Sequence, residues 1–220
     1  MTATTYEYPD SQTLASHARL FLRYTPPRLI ILALTAAVVY RATLGGWGWR
    51  DLLGPVIITA LEPFAEWAIH IVLLHFRPRA IAGRIVDPYV ARKHREHHQA
   101  PRRVSLVLLP TRVVSIMLPT AAIIAVALGQ GKPSSYTTLA FAYLMLLIYE
   151  WTHFLIHSKY RPRRWYYKTI WRNHRNHHFR NEHYWFGVTS DVGDRLLRTA
   201  PERDAVPVSP TAKDLAAGWS

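Results

Sequence analysis

Long apolar runs separated by basic segments are the feature that most restricts what this chain can fold into. The runs are LIILALTAAVVY (29–40), GPVIITALEPFAEWAIHIVLLHF (54–76), VVSIMLPTAAIIAVAL (113–128) and YTTLAFAYLMLLIYEWTHFLI (136–156). A helix needs about 20 apolar residues to cross the hydrocarbon core of a bilayer. The second and fourth runs meet that length, and so does the first if its helix extends over 27–47; the third is shorter and contains Pro119. Inside hydrocarbon each backbone polar group must be bonded within the structure, so isolated runs of this length predict helices. The expected fold is all-α: an integral membrane helical bundle of about four transmembrane helices.

Charge gives the orientation. The formal net charge is +13, and Lys and Arg alternate between the runs: eight in 77–103, eleven in 158–203, two in 41–53 and one in 129–135. Cytoplasmic loops carry the excess of Lys and Arg. The chain is therefore expected to be multi-pass, with both termini and the two basic segments on the cytoplasmic side. A nucleic-acid-binding domain has no reason to interleave basic segments with apolar runs, so no nucleic-acid partner is expected. The first twenty residues lack the basic and apolar regions of a secretory signal. The expected organisation is an N-terminal cytoplasmic segment (1–26), a membrane-embedded domain (27–198) and a C-terminal tail (199–220). The tail's three prolines and lack of helical period predict an irregular or docked surface segment. Arg28 and Arg41 flank the first run and are expected to snorkel outward.

There are no cysteines, which removes disulfides, thiolate nucleophiles and Cys-held metals. Histidine carries the chemistry instead. Ten of the 12 histidines form four clusters: His70 and His75; His94, His97 and His98; His153 and His157; His174, His177 and His178. On a helix, positions i, i+3 and i+4 share a face, so the last three clusters each converge. His70 and His75 do not, because five residues turn a helix by about 500°, leaving them about 140° apart. The helix must loosen there, as a π-bulge would allow, or the two rings must reach the site from different sides. The topology gathers all ten imidazoles into one cytoplasmic helical cap. Ten ligands are too many for one ion, and two ions sharing about five each fits an octahedral metal with an open position. Outside the clusters, His17 is expected at the surface. His183, five residues past His178, is a candidate for a substrate-side role.

Soluble di-iron proteins use two Glu-x-x-His motifs. Only one is present, Glu150-x-x-His153, so a carboxylate-bridged site is not expected. Glu150 is placed instead to accept the spare N–H of His153, and Glu66 that of His70. The aromatics Trp165, Tyr166, Tyr167, Trp171, Tyr184, Trp185 and Phe186 read as an interfacial belt in preference to a mouth for an acyl chain.

The segments HIVLLH (70–75), HREHH (94–98), HFLIH (153–157) and HRNHH (174–178) resemble the fatty acid hydroxylase/sterol desaturase superfamily of integral membrane oxygenases. YEWTHFLIH (149–157), NHRNHHF (173–179) and FGVTS (186–190) are similar to the C-terminal half of fatty acid 2-hydroxylases. The resemblance implies a non-haem di-iron centre that uses O2 to hydroxylate a lipid C–H bond, with the ten clustered histidines as ligands. Glu150 and His183 are then the candidate catalytic residues outside the ligand set. Zinc can replace iron in such a site on purification. The substrate implied is a bilayer lipid, most simply a fatty acyl chain. With no His-Pro-Gly-Gly signature, the chain is expected to bind no haem. It would take electrons from a ferredoxin or small cytochrome served by an NAD(P)H reductase, an acidic donor steered by the basic face. Desaturation and carotenoid hydroxylation are alternative outcomes, although the third cluster is His-x3-His where β-carotene hydroxylases favour His-x4-His. The alternative of another class is a non-catalytic membrane zinc protein. A structural zinc site is closed and tetrahedral, against which ten ligands for two ions argue.

Overall fold

A computed structural model describes Tyr8 and residues 13–215. Residues 1–7, 9–12 and 216–220, which belong to the expected N-terminal segment and tail, lie outside the described residues.

The helices follow the apolar runs. A short α1 (Leu14–Phe21) is capped by Thr13, whose hydroxyl accepts the Ser16 N–H. It meets α2 (Thr25–Thr43) at a 91° bend. Pro26 and Pro27 stand in the first turn of α2, where a proline costs no hydrogen bond. The helix α2 stops at Thr43, short of the expected residue 47, because Gly45 and Gly46 turn the chain with φ of +61°. Next come α3 (Arg50–Ile69), α6 (Thr111–Leu128) and α7 (Pro133–His157). Pro55, Pro63 and Pro119 are accommodated inside these helices. The segments Arg50–Leu74, Val104–Leu128 and Pro133–His157 are long and apolar enough to cross a membrane, and the bent α1–α2 pair makes a fourth if it counts as one span. Leu32, Ile57, Ile123 and Leu128 are exposed, as side chains facing lipid would be. The helix α7 lies at the centre, packed on α2, α3 and α6. One apolar cluster, Ile30, Val114, Leu118, Leu139 and Tyr143, joins α2, α6 and α7.

Arg41 does not snorkel. Its side chain is 2% exposed and bonds Asp51 Oδ1 at 2.9 and 3.0 Å, Thr137 Oγ1 at 2.8 Å and the Gly45 carbonyl at 2.7 Å. A charged group this deep needs partners, and these three tie α2, α3 and α7 together at one end of the bundle. The histidines occupy the other end.

Between α3 and α6 the basic segment 77–103 forms a small exposed hairpin not anticipated in an all-α reading. β1 (Arg79–Ile81) pairs antiparallel with β2 (Arg84–Val86) through Ala82 and Gly83, both at positive φ, as a two-residue hairpin turn requires. Then come α4 (Tyr89–Gln99) and the one-turn α5 (Val104–Val107). The second basic segment holds α8 (Trp165–Phe179) and α9 (Val192–Leu196). Beyond it the chain docks back onto the cap: Val206, Ala212 and Leu215 are buried, Arg180 donates to the Val206 carbonyl, and Ser209 N–H donates to the Arg180 carbonyl.

His17 is buried, contrary to expectation. Its Nδ1 bonds the Thr13 carbonyl at 2.9 Å, and its ring packs on Phe154 and Tyr160. The bend between α1 and α2 folds α1 onto α7 and covers it.

Candidate metal centre

All ten clustered histidines meet at the C-terminal ends of α3 and α7, against α4 and α8. The problem posed by His70 and His75 is solved by the backbone. From His70 to Leu74 the helix widens into a π turn, and the His75 N–H bonds the His70 carbonyl at 3.0 Å. In an i→i+5 turn the two rings come to the same side, 5.0 Å apart between centroids.

The rings sort into two groups of five. His70, His75, His94, His98 and His177 form the first; His97, His153, His157, His174 and His178 form the second; within each group the candidate ligand atoms lie within 4.8 Å of one another. The groups adjoin, with His98 stacked on His178 at 4.1 Å. Membership is exchanged: His97 on α4 joins the histidines of α7 and α8, while His177 on α8 joins those of α3 and α4.

The nitrogens are arranged for a cation. His70 Nδ1 donates to the Phe186 carbonyl at 2.7 Å and His98 Nδ1 to the Ala212 carbonyl at 2.9 Å. Their Nε2 atoms are therefore lone pairs, and both face His94 Nε2 at 3.1 Å. One proton on His94 can serve only one of them at a time; a metal ion serves all three. His174 and His178 repeat the 3.1 Å approach. At a metal–nitrogen distance of about 2.1 Å, ligands at right angles are about 3.0 Å apart, so these separations match neighbouring ligands of one ion. The Nε2 atoms of His75, His153, His157 and His177 are buried with no hydrogen-bond partner, a cost that coordination would remove. Burial pushes the pKa of His94, His97, His174, His177 and His178 well down, and that of His98 to about 4, with neighbouring histidine charges adding to the effect at the first five. Neutral imidazole is the form that binds metal.

Backbone carbonyls orient the rings, and carboxylates hold the backbone. His177 Nδ1 donates to the Tyr184 carbonyl at 2.8 Å, and the His153 ring to that of Val107. Glu66 does not touch His70. It accepts the Val188 N–H and, at 3.0 Å, the Thr189 N–H, which fixes the loop whose Phe186 carbonyl holds His70. Asp194 fixes the same loop through the N–H groups of Phe186 at 3.0 Å and Gly187 at 2.7 Å. The Thr189 hydroxyl lies 2.7 Å from Glu62 and 2.5 Å from Glu66; with one hydroxyl proton, both contacts are hydrogen bonds only if one carboxyl carries a proton too. Glu150 likewise does not bond His153. It is fully buried and accepts the Leu109 N–H at 3.1 Å, two residues beyond the carbonyl that holds His153. Each carboxylate thus acts one peptide or two away from the histidine it was expected to touch, because the shorter route is taken by a carbonyl.

His183 lies outside both groups, with its side chain 59% exposed and Nε2 3.4 Å from Glu182. Glu182 was not singled out from the sequence. It is buried, accepts the Thr211 hydroxyl, and its charge favours the protonated form of His98. Its only sequence signal is its position four residues past His178. Of the aromatics, Trp165 and Tyr167 are exposed as a belt would be, whereas Phe186 is buried against His70, His75 and His177. A narrow crevice bounded by Leu74, Val90, Leu108 and Tyr149 reaches His94, His97 and His153, so it touches both groups.

Comparison with known proteins fits this geometry. A fatty acid hydroxylase family model matches residues 55–199. The chain is 28% identical over 155 residues to a dihydroceramide fatty acyl 2-hydroxylase of Arabidopsis thaliana, covering 69% of this chain and 62% of that protein. It is 25% identical over 146 residues to fatty acid 2-hydroxylase of Mus musculus, covering 66% of this chain and 38% of that protein. The chain therefore spans less than two thirds of either relative's length. The solved hydroxylase domain of scs7p superposes with a TM-score of 0.61 at 20% identity, over 88% of this chain and 68% of that one.

Proposed function

The chain belongs to the fatty acid hydroxylase family, and from that premise we propose that it is a membrane-bound di-iron monooxygenase that hydroxylates a fatty acyl chain. The observation that carries this reading is the pair of adjoining five-histidine groups. We assign His70, His75, His94, His98 and His177 to one ion and His97, His153, His157, His174 and His178 to the other. Five nitrogens exceed the four of a closed structural zinc site and leave an octahedral ion one open position. When bound, two irons supply the activation of O2 and the removal of a hydrogen atom from an unactivated C–H bond.

This chain's residues supply the surroundings. The Phe186, Tyr184, Ala212 and Val107 carbonyls set which nitrogen of His70, His177, His98 and His153 is free to coordinate. Glu66 and Asp194 hold the loop that carries the Phe186 carbonyl, and Glu150 the backbone next to the Val107 carbonyl. Leu74, Val90, Leu108 and Tyr149 line the approach for an acyl chain and exclude water from it. The buried Glu182 offsets metal charge beside His98, and His183, exposed next to it, is a candidate to relay protons from solvent. The names of the relatives support carbon 2 of the acyl chain as the position oxidised. Residues 27–198 act as the membrane-embedded hydroxylase domain, with the cap and both termini cytoplasmic. Electrons come from a separate ferredoxin or small cytochrome.

The test is lipid profiling by mass spectrometry of cells expressing the wild-type chain or His97→Ala, with metal content measured on the purified proteins. The expected result is an O2-dependent lipid gaining one oxygen in the wild type alone, and two metals per chain. A lipid profile unchanged by the wild-type chain defeats the proposal.

A further inference from the structure

Behind the second histidine group, between the end of α7 and α8, lies a cavity of about 830 Å3 with His157 in its wall. Six cations line it; Lys159 and Arg161 have partners of their own, which leaves Arg102, Arg163, Lys168 and Arg175 to face the space. Among the described residues no Asp or Glu does. The positive-inside bias accounts for basic residues on this side. It does not account for their facing one another across a concavity, where like charges repel. Arg175 stands in that wall with Arg102. Arg175 is further held over the Trp171 ring at 4.7 Å. A bowl built this way is stabilised by a compact multivalent anion, and phosphate is the group whose oxygens arginine forks match.

A second cavity of about 360 Å3 adjoins it and is lined by Leu14, Trp151, Leu155, Ile156, Tyr167 and Ile170. Tyr160, Pro162, Arg163 and Trp171 line both cavities, so the basic space and the apolar space share a wall. Trp151, Leu155 and Ile156 belong to α7, a membrane-crossing segment. The pair is polar at the cap end and apolar toward the bilayer, and both volumes fall in the range of small-molecule sites.

We infer that the two cavities form one binding site for a phosphate-bearing amphiphile, its head among the arginines and its chain beside Trp151 and Trp171. The shape separates this from docking of an acidic protein, which would need a flat or convex basic surface instead of a bowl. The site is independent of the hydroxylation reading, since it is defined by binding.

The experiment uses the purified, metal-loaded chain in detergent and follows the fluorescence of the tryptophans that line the site. The probes are decyl phosphate below its micelle concentration, decanol and inorganic phosphate. Decyl phosphate is expected to bind at least about tenfold more tightly than either fragment, which is about 1.4 kcal/mol. Arg163→Gln and Lys168→Gln are each expected to weaken it severalfold and to flatten its salt dependence, with metal content at two per chain. A second arm titrates vesicles of phosphatidylcholine with and without phosphatidic acid. Preference for the phosphatidic acid vesicles over decyl phosphate identifies a membrane headgroup as the source, and the reverse identifies a soluble phosphate ester. Equal binding of decyl phosphate and decanol, or unaltered binding in both variants, overturns the inference. So does loss of binding to an acidic ferredoxin in the variants when decyl phosphate fails to bind the wild type.

Discussion

Replacing Glu66 separates an acid that merely fills a buried position from one that holds the metal centre together. The Glu66→Ala change removes the acceptor for three donors: the Val188 N–H, the Thr189 N–H and the Thr189 hydroxyl. The Thr189 hydroxyl keeps Glu62 as acceptor, but each of the two orphaned N–H groups costs about 1 kcal/mol or more, so the loop over 186–189 is loosened by about 2 kcal/mol. Folding free energies are about 5–15 kcal/mol, so the chain should still fold. The loop carries the Phe186 carbonyl, however, and with it the orientation of His70. Loss of such an orienting partner lowers metal affinity by about 10–100-fold. Glu66→Gln should behave differently, because the amide oxygen can keep the two N–H bonds and its NH2 can donate to Thr189, whose hydroxyl then turns to Glu62. The assay is metal content per chain during titration with a chelator. Loss of one of two metals in Glu66→Ala, with near wild-type retention in Glu66→Gln, is expected. An alanine variant that holds both metals at wild-type affinity refutes the reasoning, and so does a glutamine variant damaged as badly as the alanine one.

Exchange of ligands between the helix pairs gives a second expectation: His177→Ala should deplete the ion held with His70 and His94, and His97→Ala the ion held with His153 and His157, read by single-crystal anomalous scattering at each site. Gly187→Ala would set a methyl on the Ser190 carbonyl; displacement of the loop should reduce metal content as Glu66→Ala does. Arg41→Met leaves Asp51 buried without its cation at the opposite end of the bundle, so the thermal midpoint should fall while both metals stay bound; loss of metal would show the two ends to be coupled. For metal-stripped protein the sign of the pH dependence follows from His98, whose pKa falls from 6.5 to about 4 on burial. The unfolded chain takes up the proton first, so stability is full above about pH 6.5 and declines as the pH drops toward 4. Melting curves at pH 7.5, 6 and 5 test this, and a flat midpoint would contradict it.

The bundle was legible because length and apolarity decide helices in a membrane with little help from tertiary contacts. The gathering of ten histidines was legible from helical spacing, and the awkward five-residue step from His70 to His75 pointed to the π turn that is found. Two ions at about five ligands each were expected, but which ring joins which group was not legible. A ring's position on a helix face gives its direction but not which neighbour it meets, and His97 and His177 turn toward the other pair. Glu66 and Glu150 were recognised as relevant to the histidines, yet their targets depended on backbone groups of Leu109, Val188 and Thr189, which carry no sequence signal. Arg41 and His17 were misread for the same reason: each is covered by a segment whose path the local sequence does not specify.

Order of synthesis has a consequence at this site. His70, His75, His94 and His98 leave the ribosome early, but the carbonyls that aim His70 and His98 belong to Phe186 and Ala212, and the fifth nitrogen comes from His177. A half-made chain holds four of the five nitrogens and neither of those carbonyls, so on the proposed reading oxygen chemistry would be withheld until the late segment has wrapped across the cap.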